Sequence, residues 1–363
     1  MAKMAQIVVL ATGGTIAGQA AHAGEGVAYR AAQLNVQDLL QHIAGLQDIL
    51  GADTLLGEQV AQLDSKDMDF ATWQALAQRC AHWLAQSDVR AVVLTHGTDT
   101  LEETAFFLQQ ALAAAPQAAA WQNKPLVLTC AMRPATARVS DGPQNMADAL
   151  TVARDPRARG VLAVAAGQVH AADHVQKIHP YRLDAFSSAD AGPLAYVEES
   201  RTRWLVQPPA WPHTAPVGLW QALQNVPPAQ WPWVEVLHSH AGADARALHA
   251  LAQAGVRGVV LAATGNATLH HALQDAAQAL AQQGVRVVQA PRCQASAVVR
   301  SAVGTAGAEA DAVPLLWHTV GRVGTGGAGE MDAADASTAR ALPVSKARVQ
   351  LLLQLLAGAT LVT

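Results

Sequence analysis

Two short apolar runs, each stopping abruptly at a loop of glycine and threonine, constrain this chain more than any other feature. Gln6–Ala11 (QIVVLA) stops at Thr12-Gly13-Gly14-Thr15, and Ala91–Thr95 (AVVLT) stops at His96-Gly97-Thr98-Asp99. Both runs are continuous rather than alternating in polarity. A strand with water on one face alternates, whereas a strand covered on both faces need not. Pro125–Cys130 (PLVLTC) and Gly160–Ala165 (GVLAVA) repeat the pattern. Helix-prone segments stand between the runs at Leu34–Leu50, Phe70–Gln86 and Glu102–Ala114. In the second of these, Trp73, Leu76, Cys80 and Trp83 recur near helical spacing. Glu102 and Glu103 occupy the first turn of the third, where the helix dipole favours anions. Apolar strands alternating with helices predict an α/β fold with a mostly parallel sheet flanked by helices.

The rhythm breaks between about Pro193 and Trp233, where Pro208, Pro209, Pro212, Pro216, Pro227, Pro228 and Pro232 cluster, several beside tryptophan. Such a stretch predicts a semi-rigid linker. The rhythm then restarts with strands at Trp233–Leu237, Gly258–Ala263 and Val285–Ala290, and helices near Ala243–Ala254, Ala267–Gln283 and Ser345–Leu356. Two domains follow: a larger N-terminal domain over 1–195, a linker over 196–232 and a smaller C-terminal α/β domain over 233–363. The length of 363 residues agrees, since single cores stop growing at about 250–300 residues. Ala302–Ala341, rich in Gly, Ala, Asp and Thr, predicts a long loop.

Composition removes several classes of function. Hydrophobic residues at 51% and charged residues at 14% exclude disorder for the bulk of the chain. A net charge of −4, with no strongly basic domain, argues against a nucleic-acid partner. No stretch reaches the ~20 apolar residues that span a bilayer. The N-terminal apolar run leads straight into glycines and lacks a signal-peptide pattern. The chain as written therefore reads as soluble and cytoplasmic, although a periplasmic form stripped of its leader would look the same. Cys80, Cys130 and Cys293 are odd in number and far apart, so they read as buried small hydrophobes in a reducing compartment. Among 14 histidines, His238-Ser239-His240 resembles the HxH of metal-dependent amidohydrolases. The later strand end Ala262-Ala263-Thr264-Gly265 offers no further ligands, so no metal or cofactor is expected.

Ligands of open parallel sheets bind beyond the carboxyl ends of the strands. The first loop, Thr12 to Gly18, lacks the spacing of a dinucleotide fingerprint and the lysine of a P-loop. It reads either as a plain glycine turn or as a loop that lets backbone approach a small ligand. The second, Thr95 to Thr100, reads either as a helix N-cap or as a paired hydroxyl and carboxylate. Taken together with further segments the loops are far less ambiguous. AMRPATARVSDGPQN follows the next strand, and Ser65-Lys66-Asp67-Met68, His174-Val175-Gln176-Lys177, Gly192-Pro193-Leu194-Ala195-Tyr196 and Thr264-Gly265-Asn266-Ala267-Thr268-Leu269 appear in order. This set resembles the bacterial-type L-asparaginase/glutaminase family of amidohydrolases. The likeness runs from Ile7 to the closing KARVQLLLQL.

The resemblance implies a role for each matching position. The nucleophile falls on Thr15, the second catalytic threonine on Thr98, its neighbouring carboxylate on Asp99, the paired lysine on Lys177 and the flap tyrosine on Tyr29. Substrate binding falls on Gly14, Ser65, Lys66, Gly97, Asn266 and Thr268, with Asp99 also holding the α-amino group of L-asparagine or L-glutamine. The implied reaction is a two-step acyl transfer in which ammonia leaves and water then releases the acid, without a cofactor. These residue types suit it, because a threonine hydroxyl is a weak nucleophile that needs a base or relay. The implied assembly is a homotetramer of close dimers, each site capped by a neighbour's C-terminal domain. Two positions depart from the family: Lys66 stands where Gln or Glu is usual, and Thr268 aligns with an asparagine, with Asn266 nearby. The neighbour's acidic residue has no clean counterpart in Ala302–Ala341. Two other readings are a metal-dependent amidohydrolase and an amino-acid sensor on the same fold. The presence of Thr15, Thr98, Asp99 and Lys177 weighs against the sensor, which needs no nucleophile.

Overall fold

The computed structural model describes residues 5–22, 28–211, 215–294, 298 and 341–358. The chain divides into two compact units, Met1–Ala215 and Pro216–Thr363. The first unit begins with β1 (Gln6–Gly13), β2 (Gln19–Ala20), β3 (Tyr29–Arg30), α1 (Val36–Gln41), α2 (Leu46–Leu50), β4 (Thr54–Leu63), α3 (Phe70–Leu84) and β5 (Val89–Thr95). It continues with α4 (Leu101–Ala113), β6 (Pro125–Thr129), α5 (Gly142–Arg154), β7 (Gly160–Ala165), β8 (Gln168–Ala171), β9 (Gln176–Lys177), β10 (Phe186–Ser187), β11 (Ala195–Glu198) and β12 (Arg201–Trp204).

The main sheet has eight strands in the order β12-β11-β8-β7-β6-β5-β1-β4. Strands β4, β1, β5, β6 and β7 run parallel, and β8, β11 and β12 continue antiparallel. Both faces of the parallel part are covered, which is why its strands read as unbroken apolar runs. Ile7, Val9, Val93, Val127 and Leu162 form one core with Met146 and Leu150 of α5. The alternating positions Val8, Leu10, Val92 and Leu94 are also fully buried and face the other side by the pleat. There α3 packs on β5 and α4 on β7. Trp73 ties these two helices together: its ring stacks on Phe107 at 4.7 Å, and its indole N–H donates to Thr104 Oγ1 at 2.9 Å.

Strand order also locates the ligand crevice. From β1 the chain passes to β4 on one side and then crosses to β5 on the other. Connections leave β1 and β5 in opposite directions, so a gap opens beyond their carboxyl ends.

Four expectations change. Leu34–Leu50 is two helices, because Gly45 between them takes a left-handed conformation with φ 65°. The edge strand β4 was not foreseen, since its residues are mostly half-buried and no apolar run marks it. Its Glu58 instead accepts both nitrogens of an Arg79 fork, at 2.6 and 2.7 Å. The expected linker over 196–232 starts as sheet: β11 and β12 form a hairpin turning at Glu199 and Ser200, with φ 47° and 56°. Finally, Cys80 and Cys130 are buried but Cys293 is exposed, because it follows the strand Arg286–Pro291 instead of lying within an element.

The second unit contains α6 (Leu219–Asn225), β13 (Val234–His238), α7 (Arg246–Gln253), β14 (Gly258–Ala263), α8 (His271–Gln282), β15 (Arg286–Pro291) and α9 (Val344–Leu356). Its parallel sheet has the order β13-β14-β15, and Leu248, Val259, Leu261, Leu280 and Val287 form its core. The loop expected at Ala302–Ala341 lies, except for its last residue, outside the described residues. Among the described residues no helix is long and apolar enough to cross a membrane.

Candidate active site

Three loops meet at the crevice, and glycine allows the contact. Gly14 follows β1 with φ 80° and ψ −170°, a region closed to other residues. A Cβ there would lie 2.5 Å from Gly97 Cα and 2.6 Å from Gly97 N. A Cβ on Gly97 would in turn collide with the Ser65 hydroxyl after β4. Thr12 Oγ1 donates to the Thr95 carbonyl at 2.9 Å and joins the ends of β1 and β5. Thr15 and Thr98, the residues after the touching glycines, are therefore neighbours across the switch point.

Thr15 opens a single 3₁₀ turn and is 7% exposed. Its hydroxyl lies 2.6 Å from the Tyr29 hydroxyl. Tyr29 belongs to the β2–β3 hairpin, and its ring fills the space that a side chain on Gly18 would take. Burial pushes the Tyr29 phenol above its ordinary value, against the lowering effect of the hydrogen bond with Thr15. At neutral pH the group is therefore a phenol, able to donate or accept a proton bond.

The second cluster forms on Lys177. Its ammonium donates to Thr98 Oγ1 at 2.8 Å and to Asp99 Oδ1 at 2.6 Å. The Lys177 side chain is 17% exposed and Asp99 is 49% exposed. Asp99 thus remains open to a ligand's ammonium while it orients the lysine. Ser65 Oγ accepts from the Asp99 backbone N–H at 3.1 Å, and the Ser65 carbonyl accepts from the Thr100 hydroxyl at 2.8 Å. Glu102, in the first turn of α4, accepts from the backbone N–H of Lys177 at 2.6 Å. Its position at a helix start was legible in the sequence, but its bond to a residue of β9 was not.

Lys66 separates from this group. Lys66 is turned to solvent, its ammonium held by Asp64 at 2.8 Å and Asp67 at 3.0 Å. Hydrogen bonds to those two carboxylates hold it above its ordinary value. Its unusual charge is thus neutralised locally. Asn266 and Thr268 belong to the second unit, where Thr268 closes a tight turn by donating its backbone N–H to the Thr264 carbonyl at 2.7 Å. Ala302–Ala341, where the neighbour's acidic residue has no clean counterpart, lies outside the described residues except for Ala341. His96 is fully buried, and burial lowers its imidazole to about 4 while Nδ1 bonds the Gly97 carbonyl at 2.7 Å. His170 is buried in β8 with Nδ1 2.9 Å from Ser188 Oγ. Among the described residues no three His, Cys, Asp or Glu side chains are placed to share a metal ion.

Known proteins resemble this chain in sequence and in fold. The family model described as asparaginase, N-terminal, matches residues 6–210, and that described as glutaminase/asparaginase C-terminal domain matches residues 233–361. Glutaminase-asparaginase of Pseudomonas fluorescens biotype A is 34% identical over 300 residues, covering 82% of this chain and 78% of that protein. L-asparaginase 2 of Escherichia coli strain K12 is 33% identical over 298 residues, covering 82% of this chain and 80% of its own. A crystal structure from Campylobacter jejuni, described as a "probable cytoplasmic L-asparaginase", superposes with a TM-score of 0.79 at 29% identity. It covers 97% of this chain and 95% of that one.

Proposed function

The chain belongs to the asparaginase family of amidohydrolases, and from that premise we propose that it hydrolyses the side-chain amide of L-asparagine to L-aspartate and ammonia through a threonine nucleophile. One observation carries the reading: Thr15 bonded to Tyr29, and Thr98 bonded to Lys177 and Asp99, meet through the Gly14–Gly97 contact. The Thr15 hydroxyl adds to the amide carbon, and the tetrahedral oxyanion takes backbone N–H donors beside the glycines, worth roughly 10²–10³ in rate each. Collapse breaks the C–N bond, and the departing amine takes up the proton that Thr15 gives up. Water then adds to the Thr15 ester, aspartate leaves, and the threonine regains its proton. Tyr29 orients the Thr15 hydroxyl, while Lys177 and Asp99 polarise Thr98 as the proton relay. Asp99 and Ser65 meet the substrate's ammonium and carboxylate. L-Glutamine, one methylene longer, is a second substrate of the same chemistry.

Ammonia release from L-asparagine, L-glutamine and their D-isomers, with and without EDTA, tests this. Turnover of L-asparagine unaffected by chelator supports the reading. Loss with EDTA would favour a metal enzyme, and tight amino-acid binding without any turnover would favour a sensor. We read the assembly as a homotetramer with residues of the second unit completing a neighbour's site. Light scattering should then give four times the chain mass of 37.8 kDa.

Two substitutions separate roles. Tyr29→Phe keeps the ring against Gly18 and removes only the hydroxyl, so kcat should fall about 10²–10³-fold with little change in KM. Turnover within twofold of the parent would remove Tyr29 from the proton path. Lys66→Ala removes a solvent-facing cation already neutralised by two carboxylates, so kcat/KM should stay within about threefold. A larger fall would place Lys66 on the substrate after all.

A further inference from the structure

From the contact between α4 and β9 we infer that Glu102 is a positioning residue, which fixes the Lys177 backbone so that one ammonium reaches both Thr98 and Asp99. The inference rests on the reading of these three groups as the proton relay.

Lys177 needs such an anchor. It lies in a two-residue strand that pairs only with β10, in a ladder outside the main sheet. Thr98 and Asp99, by contrast, follow β5, an interior strand of that sheet. A long flexible side chain rooted in a short hairpin has no reason of its own to meet a target on another element. Glu102 supplies the link. It sits three residues after Asp99, in the first turn of the helix that the Thr98 loop enters, and its Oε2 accepts from Lys177 N–H at 2.6 Å. The same residue is thus rigidly connected to the strand end through α4 and to the lysine through that bond.

Polar side chains at the helix start reach outward to other elements. Thr100, the N-cap, makes no side-chain capping bond, because its hydroxyl is given to the Ser65 carbonyl. Glu102 likewise reaches across to β9, and its carboxylate still lies where the helix dipole favours a negative charge. About two turns further along α4, Gln109 donates to Asp173 Oδ1 at 2.6 Å and fastens the segment leading into β9. The helix therefore grips the lysine-bearing segment at two points, before the lysine and at it. A misplacement of about 1 Å at a reacting group can cost roughly 10²-fold in rate.

The acceptor oxygen, rather than the charge, does the holding, and this makes the inference testable. Glu102→Gln preserves an oxygen at the same reach, whereas Glu102→Ala removes it. Expected are a kcat on L-asparagine lowered about 30–100-fold in Glu102→Ala with KM changed much less, and a value within about threefold of the parent in Glu102→Gln. Glu103→Ala, in the same turn, controls for general damage to the helix start. The direct readout is amide exchange at Lys177, which should speed about tenfold or more in Glu102→Ala and stay near the parent rate in Glu102→Gln. Unchanged exchange at Lys177 in Glu102→Ala would overturn the anchor, whatever the turnover. So would a Glu102→Gln protein as impaired as Glu102→Ala in both measurements. If the parent protein releases no ammonia from either amide, the asparaginase reading falls, while the exchange comparison still decides whether Glu102 holds Lys177.

Discussion

Replacing Thr15 by alanine is expected to lower kcat/KM on L-asparagine by about 10⁴-fold or more while leaving the protein folded. The separation of the two effects follows from the geometry. The Thr15 hydroxyl makes its bond to Tyr29, whose own ring stays seated against Gly18. Loss of one such bond costs about 1 kcal/mol, far below the roughly 5–15 kcal/mol by which domains are stable. Catalysis through the proposed Thr15 ester has no comparable reserve, because without an oxygen at this position that ester cannot form. Acid-quenched parent enzyme should carry an aspartyl adduct on the peptide containing Thr15, visible by mass spectrometry and absent from Thr15→Ala. Activity within tenfold of the parent, or an adduct on the Thr98 peptide, would move the nucleophile elsewhere.

Gly14→Ala should be the most disruptive single methyl group at the site. Two costs combine. The backbone at φ 80° and ψ −170° is open only to glycine, at about 1–3 kcal/mol. The new Cβ would also meet Gly97 backbone at 2.5 Å, and backbone cannot rotate away as a side chain can, which adds about 1–3 kcal/mol. Gly192→Ala isolates the first cost, since Gly192 has φ 64° and ψ 174° but nothing within 4 Å of an added Cβ. Gly14→Ala should therefore unfold several degrees below Gly192→Ala in a thermal melt. It should also lose at least ~10²-fold in kcat/KM, because parting the glycines parts Thr15 from Thr98. Equal melting temperatures for the two variants would show that the loops can separate without penalty.

How much of this was legible in advance depended on whether the physics was local. The strands β1, β5, β6 and β7 were plain because burial on both faces demands unbroken apolar runs, and the chain supplies them. β4 was not, because an edge strand can carry Glu58 toward the Arg79 side chain and Gln59 toward backbone carbonyls instead of a core. The hairpin β11–β12 was hidden by a proline-rich neighbourhood that starts a few residues later. Thr15, Thr98 and Asp99 were visible as hydroxyls and a carboxylate at strand ends, and their grouping came through the family resemblance. Lys66 shows the limit of that route: its identity departs from the family, yet Asp64 and Asp67 beside it absorb the charge.

By itself, then, the sequence determined the α/β class, the strand ends proposed to carry chemistry and the glycines that free their loops. Each of these is set within a few residues, by side-chain polarity and backbone freedom. Tertiary structure alone decided that Gly14 touches Gly97, that Tyr29 meets Thr15, and that Glu102 holds the lysine that reaches Thr98 and Asp99. Those contacts join residues up to 83 positions apart, as between Thr12 and Thr95. They arise where sheet order reverses between β1 and β5, and a strand order is settled by the competition of all strands for a common core, which no local pattern records.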